Sequence, residues 1–371
     1  MSSKKNICII GSGVSGLTTA LLLERKGWDV TIISKADPRK AQADPAFASL
    51  YPAASVIPHS VSSERLDALF INSQNHFQKL FNEGFPGLNI HQHFELFASE
   101  TSLPSYAGLM REFQNFPAFR NSFHPSHPSI EISSGWKFNC FFADWSLYFP
   151  ALIDKILGGN IRLEIRDLRS EDISTLPFQY VINCSGLGAV ELMNDPNQLI
   201  HRGHLLRIPG KTKLRNPDGE LVSYNFSPGQ EVYKSENGSL QDVYFYPRSD
   251  GWIFGGSRQA GRLDESGNWN GEQSIQPTVT IGNLEVPKQI LAINTEIIEH
   301  TFGVNKIDEL SKLKSKVGYR YIRKKEDGLR LEPEVIHDKL VIHNYGHGGA
   351  GVTLSWGCAM EVIKLLEQNL N

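Results

Sequence analysis

Charge of one sign is missing from this chain. Its 371 residues carry 37 lysines and arginines against 40 aspartates and glutamates, a formal net charge of −3. That balance offers no field for non-specific binding of nucleic acid or of an anionic membrane. Long apolar runs are missing too, and none reaches membrane-spanning length. Cysteine is scarce: Cys8, Cys140, Cys184 and Cys358 sit in apolar or glycine-rich settings without C-x-x-C spacing. Buried free thiols in a reducing compartment are the expectation. The 12 histidines make no H-E-x-x-H motif and no Cys/His cluster, so no metal site is expected. No internal repeat or low-complexity tract interrupts the chain. The apolar run after Asn6 is too short for a signal peptide, and a cytoplasmic location is expected.

What is present begins near the N-terminus. Ile7-Cys8-Ile9-Ile10 is an apolar strand pattern and Gly11-Ser12-Gly13 a turn. Val14-Ser15-Gly16-Leu17 opens a helical pattern that uses Leu17, Ala20, Leu21 and Leu23 and stops at Gly27. This is G-x-G-x-x-G in its strand–turn–helix setting, followed by a second strand at Val30–Ile33. Gly11 permits the tight turn, Gly13 has no Cβ to block a pyrophosphate, and Gly16 lets the helix lie close on the strand. Free N–H groups and the positive helix end favour phosphates. Residues Gly11 to Gly16 are therefore read as binding a dinucleotide. The acid expected at the end of the second strand is absent, and Ser34-Lys35-Ala36-Asp37 stands there. Either Asp37 reaches the ribose from the loop or Ser34 bonds it.

The length allows two domains. The loop around Ala46–Ala54 is too apolar for a surface linker and is expected to lie against something flat. A helix is predicted over Glu64–Glu83, another near Ser105–Phe113, and a third over Trp145–Leu157 with Asp144 as its cap. Arg162–Ile165 and Tyr180–Asn183 read as strands. From His204 to Gly255, apolar segments separated by turn residues read as β. A helix is predicted over Val286–Phe302, with Pro287 in its first turn. Val317–Arg323 and Leu340–His343 read as strands, and a last helix runs to about Gln368.

Two further glycine turns follow strands. Cys184-Ser185-Gly186 ends the strand at Tyr180–Asn183. Gly346-His347-Gly348-Gly349-Ala350-Gly351-Val352-Thr353 ends the strand at Leu340–His343 and opens the last helix. Such a helix end stabilises negative charge on a ring system, and a reduced flavin carries one. His347 reads as a loop-stabilising residue rather than a base.

At these residues the chain resembles the D-amino-acid oxidase family of FAD-dependent oxidoreductases, within the wider glycine and sarcosine oxidase group. The first glycine turn matches that family's nucleotide turn. Ala48-Ser49-Leu50-Tyr51-Pro52 resembles its flavin-covering loop, and Val181 to Gly186 its second FAD contact. Gly318-Tyr319-Arg320-Tyr321-Ile322-Arg323 resembles its G-[FL]-R-P-x-R segment, and Ile342 to Gly349 is close to a verbatim signature.

The resemblance implies an α/β fold: a Rossmann-type FAD-binding domain with an inserted β-sheet-based substrate domain. The FAD domain is expected to be discontinuous, from residues 1–54, 144–189 and 330–371, with 55–143 and 190–329 in the substrate domain. FAD would be held by the first turn, Ser34, Asp37, Ala48, Ser49, Leu50, Cys184, Ser185, Gly186 and Gly348 to Thr353. Carried over from the family, the substrate-carboxylate clamp falls on Arg323, with Arg320 structural. Tyr244, in Tyr244-Phe245-Tyr246-Pro247, would bond the same carboxylate, and the Gly349 carbonyl would meet the amine. Leu240 stands where the family has a second tyrosine, and Tyr321 where it has a proline.

The function implied is oxidative deamination of an amino acid. Hydride moves from the α-carbon to flavin N5, no side-chain base is required, and oxygen reoxidises the flavin to give hydrogen peroxide. The alternatives are a glycine or secondary-amine oxidase or dehydrogenase of the same fold, and a flavin-binding protein without turnover. The expected partners are a small-molecule amine or amino acid and oxygen, not nucleic acid or membrane.

Overall fold

The apolar run Ile7–Ile10 becomes a fully buried inner strand of a parallel sheet. A computed structural model describes residues 5–41, 44–196, 199–210, 213–304, 312–324 and 328–370. In chain order the strands are β1 (Asn6–Ile10), β2 (Asp29–Ser34), β3 (Leu88–Phe97), β4 (Arg111–Asn115), β5 (Ser134–Ala143), β6 (Arg162–Ile165), β7 (Tyr180–Asn183), β8 (Leu199–Ile208) and β9 (Leu221–Ser227). They continue with β10 (Val243–Arg248), β11 (Gly251–Gly255), β12 (Gln259–Leu263), β13 (Trp269–Gly271), β14 (Thr278–Ile281), β15 (Leu284–Pro287), β16 (Lys314–Ile322), β17 (Pro333–Ile336) and β18 (Lys339–His343). The helices are α1 (Val14–Arg25), α2 (Leu66–Asn82), α3 (Phe116–Phe119), α4 (Trp145–Leu157), α5 (Asp172–Thr175), α6 (Ala189–Leu192), α7 (Lys288–Phe302) and α8 (Gly351–Gln368). The chain divides into two units: Met1–Leu88, Leu147–Ile200 and Arg320–Asn371 form one, Asn89–Ser146 and His201–Tyr319 the other.

The first unit is built on a six-stranded sheet in the order β17-β18-β7-β1-β2-β6. All neighbours in it run parallel except the β17–β18 pair. The β18 strand thus joins the sheet of β1 through β7, as the two-ended glycine pattern requires. Leu17, Ala20 and Leu23 of α1 are fully buried, each leucine stabilising the fold by about 1.5–3 kcal/mol. Helix α1 meets α8, where Thr18 Oγ1 donates to the Ser355 carbonyl at 3.2 Å. Helix α2 also packs on α8: the Gly357 N–H donates to Ser73 Oγ at 2.8 Å. A Cβ at Gly357 would fall 1.9 Å from the Leu69 carbonyl oxygen. This close crossing is why the first segment of the unit runs to Leu88 rather than stopping at Ala54.

The second unit is a ten-stranded sheet, in the order β13-β12-β8-β11-β10-β9-β3-β5-β4, with β16 also paired to β8. Strand alternation divides its residues between two faces. Phe94, Tyr224, Phe245 and Phe254 form one apolar rung and pack with Ile290, Ile293 and Ile297 of α7. The intervening Glu95, Asn225 and Tyr244 form a polar rung on the opposite face.

Two predicted helices differ from the structure. Only a single 3₁₀ turn at Ala107–Leu109 appears in the Ser105–Phe113 stretch, because Arg111–Asn115 pairs with β5 (Arg111↔Asn139). The helix expected from Val286 starts at Lys288. Val286 and Pro287 instead close a hairpin with β14, whose turn holds Gly282 at φ +62°.

Candidate functional site

The strand register of the first unit aligns the three glycine turns. Ile10 pairs with Asn183 and Asn183 with His343, so the carboxyl ends of β1, β7 and β18 stand level and side by side. In open α/β sheets this edge is where ligands bind. The turns touch there. A Cβ at Gly11, which has φ +104°, would lie 2.5 Å from the Cys184 carbonyl oxygen. The Asn344 N–H donates to the Asn183 carbonyl at 2.8 Å. Ser185 is held in the second turn by donating both its N–H and its hydroxyl to Asn183 Oδ1.

At the first turn, a Cβ at Gly16 would fall 2.0 Å from the Gly11 carbonyl oxygen, so α1 seats directly on the turn. Gly13 caps α1 without a side-chain bond, and the first turn of the helix carries no acid. The same holds for Ala350 at the head of α8, where Gly351, Val352 and Thr353 follow. Neither helix N-terminus is capped by the side chain of its own N-cap residue, and both stand at one sheet edge. That donor set is suited to the phosphates and the electron-rich ring of FAD, so the residues present fit this cofactor.

At the first turn the Gly11 N–H donates to the Ile33 carbonyl at 2.8 Å, and the Val14 N–H to Ser49 Oγ at 3.0 Å, from a 3₁₀ turn at Ala48–Leu50. Gly13→Val would drive a branched side chain toward Ser49 Oγ, which lies 2.9 Å from the Cβ position. Overpacking of about 1–3 kcal/mol is expected, read as FAD affinity about 5- to 150-fold weaker in a flavin titration. Wild-type affinity in that variant would remove the first turn from the cofactor site.

The Asp37 carboxylate is held by Arg39, which donates from its backbone N–H and its guanidinium, the closest contact being 2.7 Å. These bonds lower its pKa below the usual carboxylate value. Ser34 Oγ lies 2.8 Å from Ser12 Oγ, at the first turn itself. Of the two sequence candidates, Ser34 is the one the fold brings to the turn.

Sequence reasoning missed a second loop segment. Thr353 Oγ1 lies 3.3 Å from the carbonyl oxygens of both Ser55 and Ile57. Ser60 backs onto the last glycine turn: its carbonyl oxygen is 2.5 Å from a Cβ position at Gly348, and its own Cβ is 3.1 Å from one at Gly349. Ala54 (φ +74°) and Ser60 (φ +67°) hold left-handed backbone that non-glycine residues seldom adopt. Ala48–Leu50 thus serves the first turn and Ser55–Ser60 the last. The small residues Ala53-Ala54-Ser55 were the available signal.

The arginines are also redistributed. Arg323 Nε donates to Asp195 Oδ2 at 2.8 Å in a buried pair, and the same oxygen accepts from the Tyr321 and Tyr345 hydroxyls at 3.0 and 2.9 Å. The stem of Arg323 supports the last turn, its Cγ and Cδ each 2.9 Å from a Cβ position at Gly346. This guanidinium is engaged with Asp195, and its stem props the last turn. Tyr321, in the place of the proline, contributes its hydroxyl to that prop. Arg320 points elsewhere: its Cδ lies 4.0 Å from a Cβ position at Gly349. His347 is buried, its Nε2 lies 3.0 Å from Asn344 Oδ1, and burial lowers its pKa to about 4, which keeps it neutral.

In the second unit, Tyr244 lies flat over Gly255 of the neighbouring strand, where a Cβ would fall 2.0 Å from the tyrosine Cζ. Arg248 is paired bidentately with Asp250. The four cysteines are buried and free. Among the described residues no group of three His, Cys, Asp or Glu side chains could hold a metal ion, and no helix is long and apolar enough to cross a membrane.

The family model described as FAD dependent oxidoreductase matches residues 6–365. A D-amino-acid oxidase of Rubrobacter xylanophilus is 26% identical over 359 residues, covering 96% of this chain and 94% of its own. The D-aspartate oxidase of Homo sapiens is 26% identical over 378 residues, covering 98% and 94%. Among solved structures, glycine oxidase from Geobacillus kaustophilus superposes with a TM-score of 0.63 at 16% identity, over 99% of this chain and 96% of that one.

Proposed function

The chain belongs to the family of FAD dependent oxidoreductases, and on that premise we propose that it oxidises the amine-bearing carbon of an amino acid. The observation that carries this reading is the level edge of β1, β7 and β18, with two helix N-termini that lack a bond from their own N-cap side chains and Arg320 beside Gly349. FAD, when bound, supplies acceptance of a hydride from the substrate carbon. The protein supplies the rest. The α1 turn and Ser34 hold the nucleotide, the second turn and Ser55–Ile57 its middle and ring, and the α8 N-terminus favours negative charge on the ring. Arg320 presents the guanidinium fork that orients a carboxylate, and Gly349 the carbonyl that receives an amine. Oxygen is the proposed acceptor, and the four buried thiols suit a reducing compartment such as the cytoplasm.

The D-amino-acid oxidase relatives support an amino acid as substrate. Leu240 in place of a second tyrosine, and the glycine oxidase likeness in fold, favour a small amine such as glycine as the second reading. Anaerobic addition of D-alanine, L-alanine, glycine and sarcosine to the purified yellow protein separates these. Loss of flavin colour with an amino acid is the expected result, and peroxide on readmitting air identifies oxygen as the acceptor. Colour that persists with every amine would leave a flavin-binding protein without turnover.

A further inference from the structure

We propose that Ser60 and His59 form a proton-accepting pair for the substrate amine. The inference deepens the amino-acid reading above and rests on it. An amino acid arrives as an ammonium ion, and its carbon cannot release hydride until the nitrogen has a lone pair. Some group must take that proton, and hydride transfer itself does not provide one.

The corner at Gly349 holds a suitable pair. Ser60 Oγ lies 3.5 Å from a Cβ position at Gly349, and Arg320 Cδ lies 4.0 Å from the same point. The carboxylate and amine of an amino acid share one carbon, so a carboxylate on Arg320 brings the amine to the Gly349–Ser60 edge. Ser60 Oγ is in turn 2.6 Å from His59 Nδ1. The left-handed backbone of Ser60, at φ +67°, places its side chain there, and strain of this kind of about 1–3 kcal/mol is retained where the surroundings require it.

The other titratable groups brought to this corner do not serve. Arg320 of β16 has no acceptor. His347 is buried with Nε2 beside Asn344 Oδ1. Behind Gly346, Asp195 accepts from Arg323. On α8, Glu361 is paired with Arg65 at 3.1 Å.

The step balances as two linked proton transfers. The substrate N–H bond breaks as an O–H bond forms on Ser60, and the old Ser60 O–H bond breaks as an N–H bond forms on His59 Nδ1. Nothing is oxidised or reduced, and the imidazolium discharges to solvent. The role assigns His59 the tautomer with its hydrogen on Nε2.

The test is the pH profile of kcat/KM for the FAD-loaded protein and its His59→Gln and Ser60→Ala variants, with FAD content and thermal midpoint measured on each. The expected result is an acid limb moved to higher pH in both variants, with kcat/KM at its foot about 100-fold or more below wild type, because the amine must then lose its proton without a positioned acceptor. FAD content and midpoint stay at wild-type values. As a readout without turnover, binding of 2-aminoisobutyrate, which has no hydrogen on its amine-bearing carbon, followed by flavin absorbance, should show the same displacement with pH. Limbs that coincide with wild type, or variants that lose FAD, overturn the pair. If no amino acid reduces the wild-type flavin, the amino-acid reading itself fails and the pair falls with it.

Discussion

Arg320→Ala is expected to lower kcat/KM for an amino-acid substrate by about 30-fold to several thousand-fold. The range corresponds to the roughly 2–5 kcal/mol lost when one partner of a hydrogen-bonded charge pair is truncated. Arg320→Lys keeps the charge but not the planar fork, so a loss of about 10- to 150-fold is expected, from about 1.5–3 kcal/mol. FAD content should not change in either variant, because the side chain lies at Gly349 and not at the nucleotide turn. Steady-state kinetics on the yellow protein, with flavin content measured on the same sample, decide the matter. Near-normal efficiency in Arg320→Ala, together with a large loss in fully loaded Arg323→Lys, would return the clamp to Arg323.

Removing the other end of the Arg323 pair gives a stability effect instead. Asp195→Ala removes the carboxylate that accepts from Arg323, whose side-chain exposure is 11%. It also strips the Tyr321 and Tyr345 hydroxyls of their shared acceptor. Breaking a buried pair by removing one partner costs about 3–5 kcal/mol. Asp195→Asn keeps an acceptor for the hydroxyls and should cost less. The damage should spread to the cofactor, because Gly346 rests on the stem of Arg323. A lowered denaturation midpoint and faster FAD release are therefore expected together. An Asp195→Ala protein as stable as wild type, with normal FAD retention, would show that the buried network does not support the last turn.

These two predictions concern arginines three residues apart, and strand geometry explains why sequence alone does not tell their roles apart. Arg320 lies within β16 and Arg323 just beyond its end, so their directions depend on where the strand stops. Both belong to the same motif and both suit a carboxylate. What separates them is Asp195, far away in sequence, which meets Arg323 and not Arg320 in the bonds described. The loop segments are hard to tell apart from sequence for a similar reason. Ala48-Ser49-Leu50 and Ala53-Ala54-Ser55 are alike in composition, and only the bonds from Val14 and Thr353 tell which turn each one serves. Asp37 was a reasonable ribose acid until Arg39, two residues on, was seen to hold it.

Patterns of local origin were legible. Strand β1, the turn at Gly11 and helix α1 are specified by nearest-neighbour physics: apolar residues in a run, a missing Cβ at each close approach, and a helical period directly after. The same is true of β7, β18 and α8, so the sequence by itself determined that three glycine turns would follow three strands and that FAD was the group they suit. The tertiary structure alone decided which side chains converge at that edge. Convergence depends on register, on the backbone angles of Ala54 and Ser60, and on the buried carboxylate of Asp195. Each of these is a contact between distant parts of the chain, and no local periodicity records it.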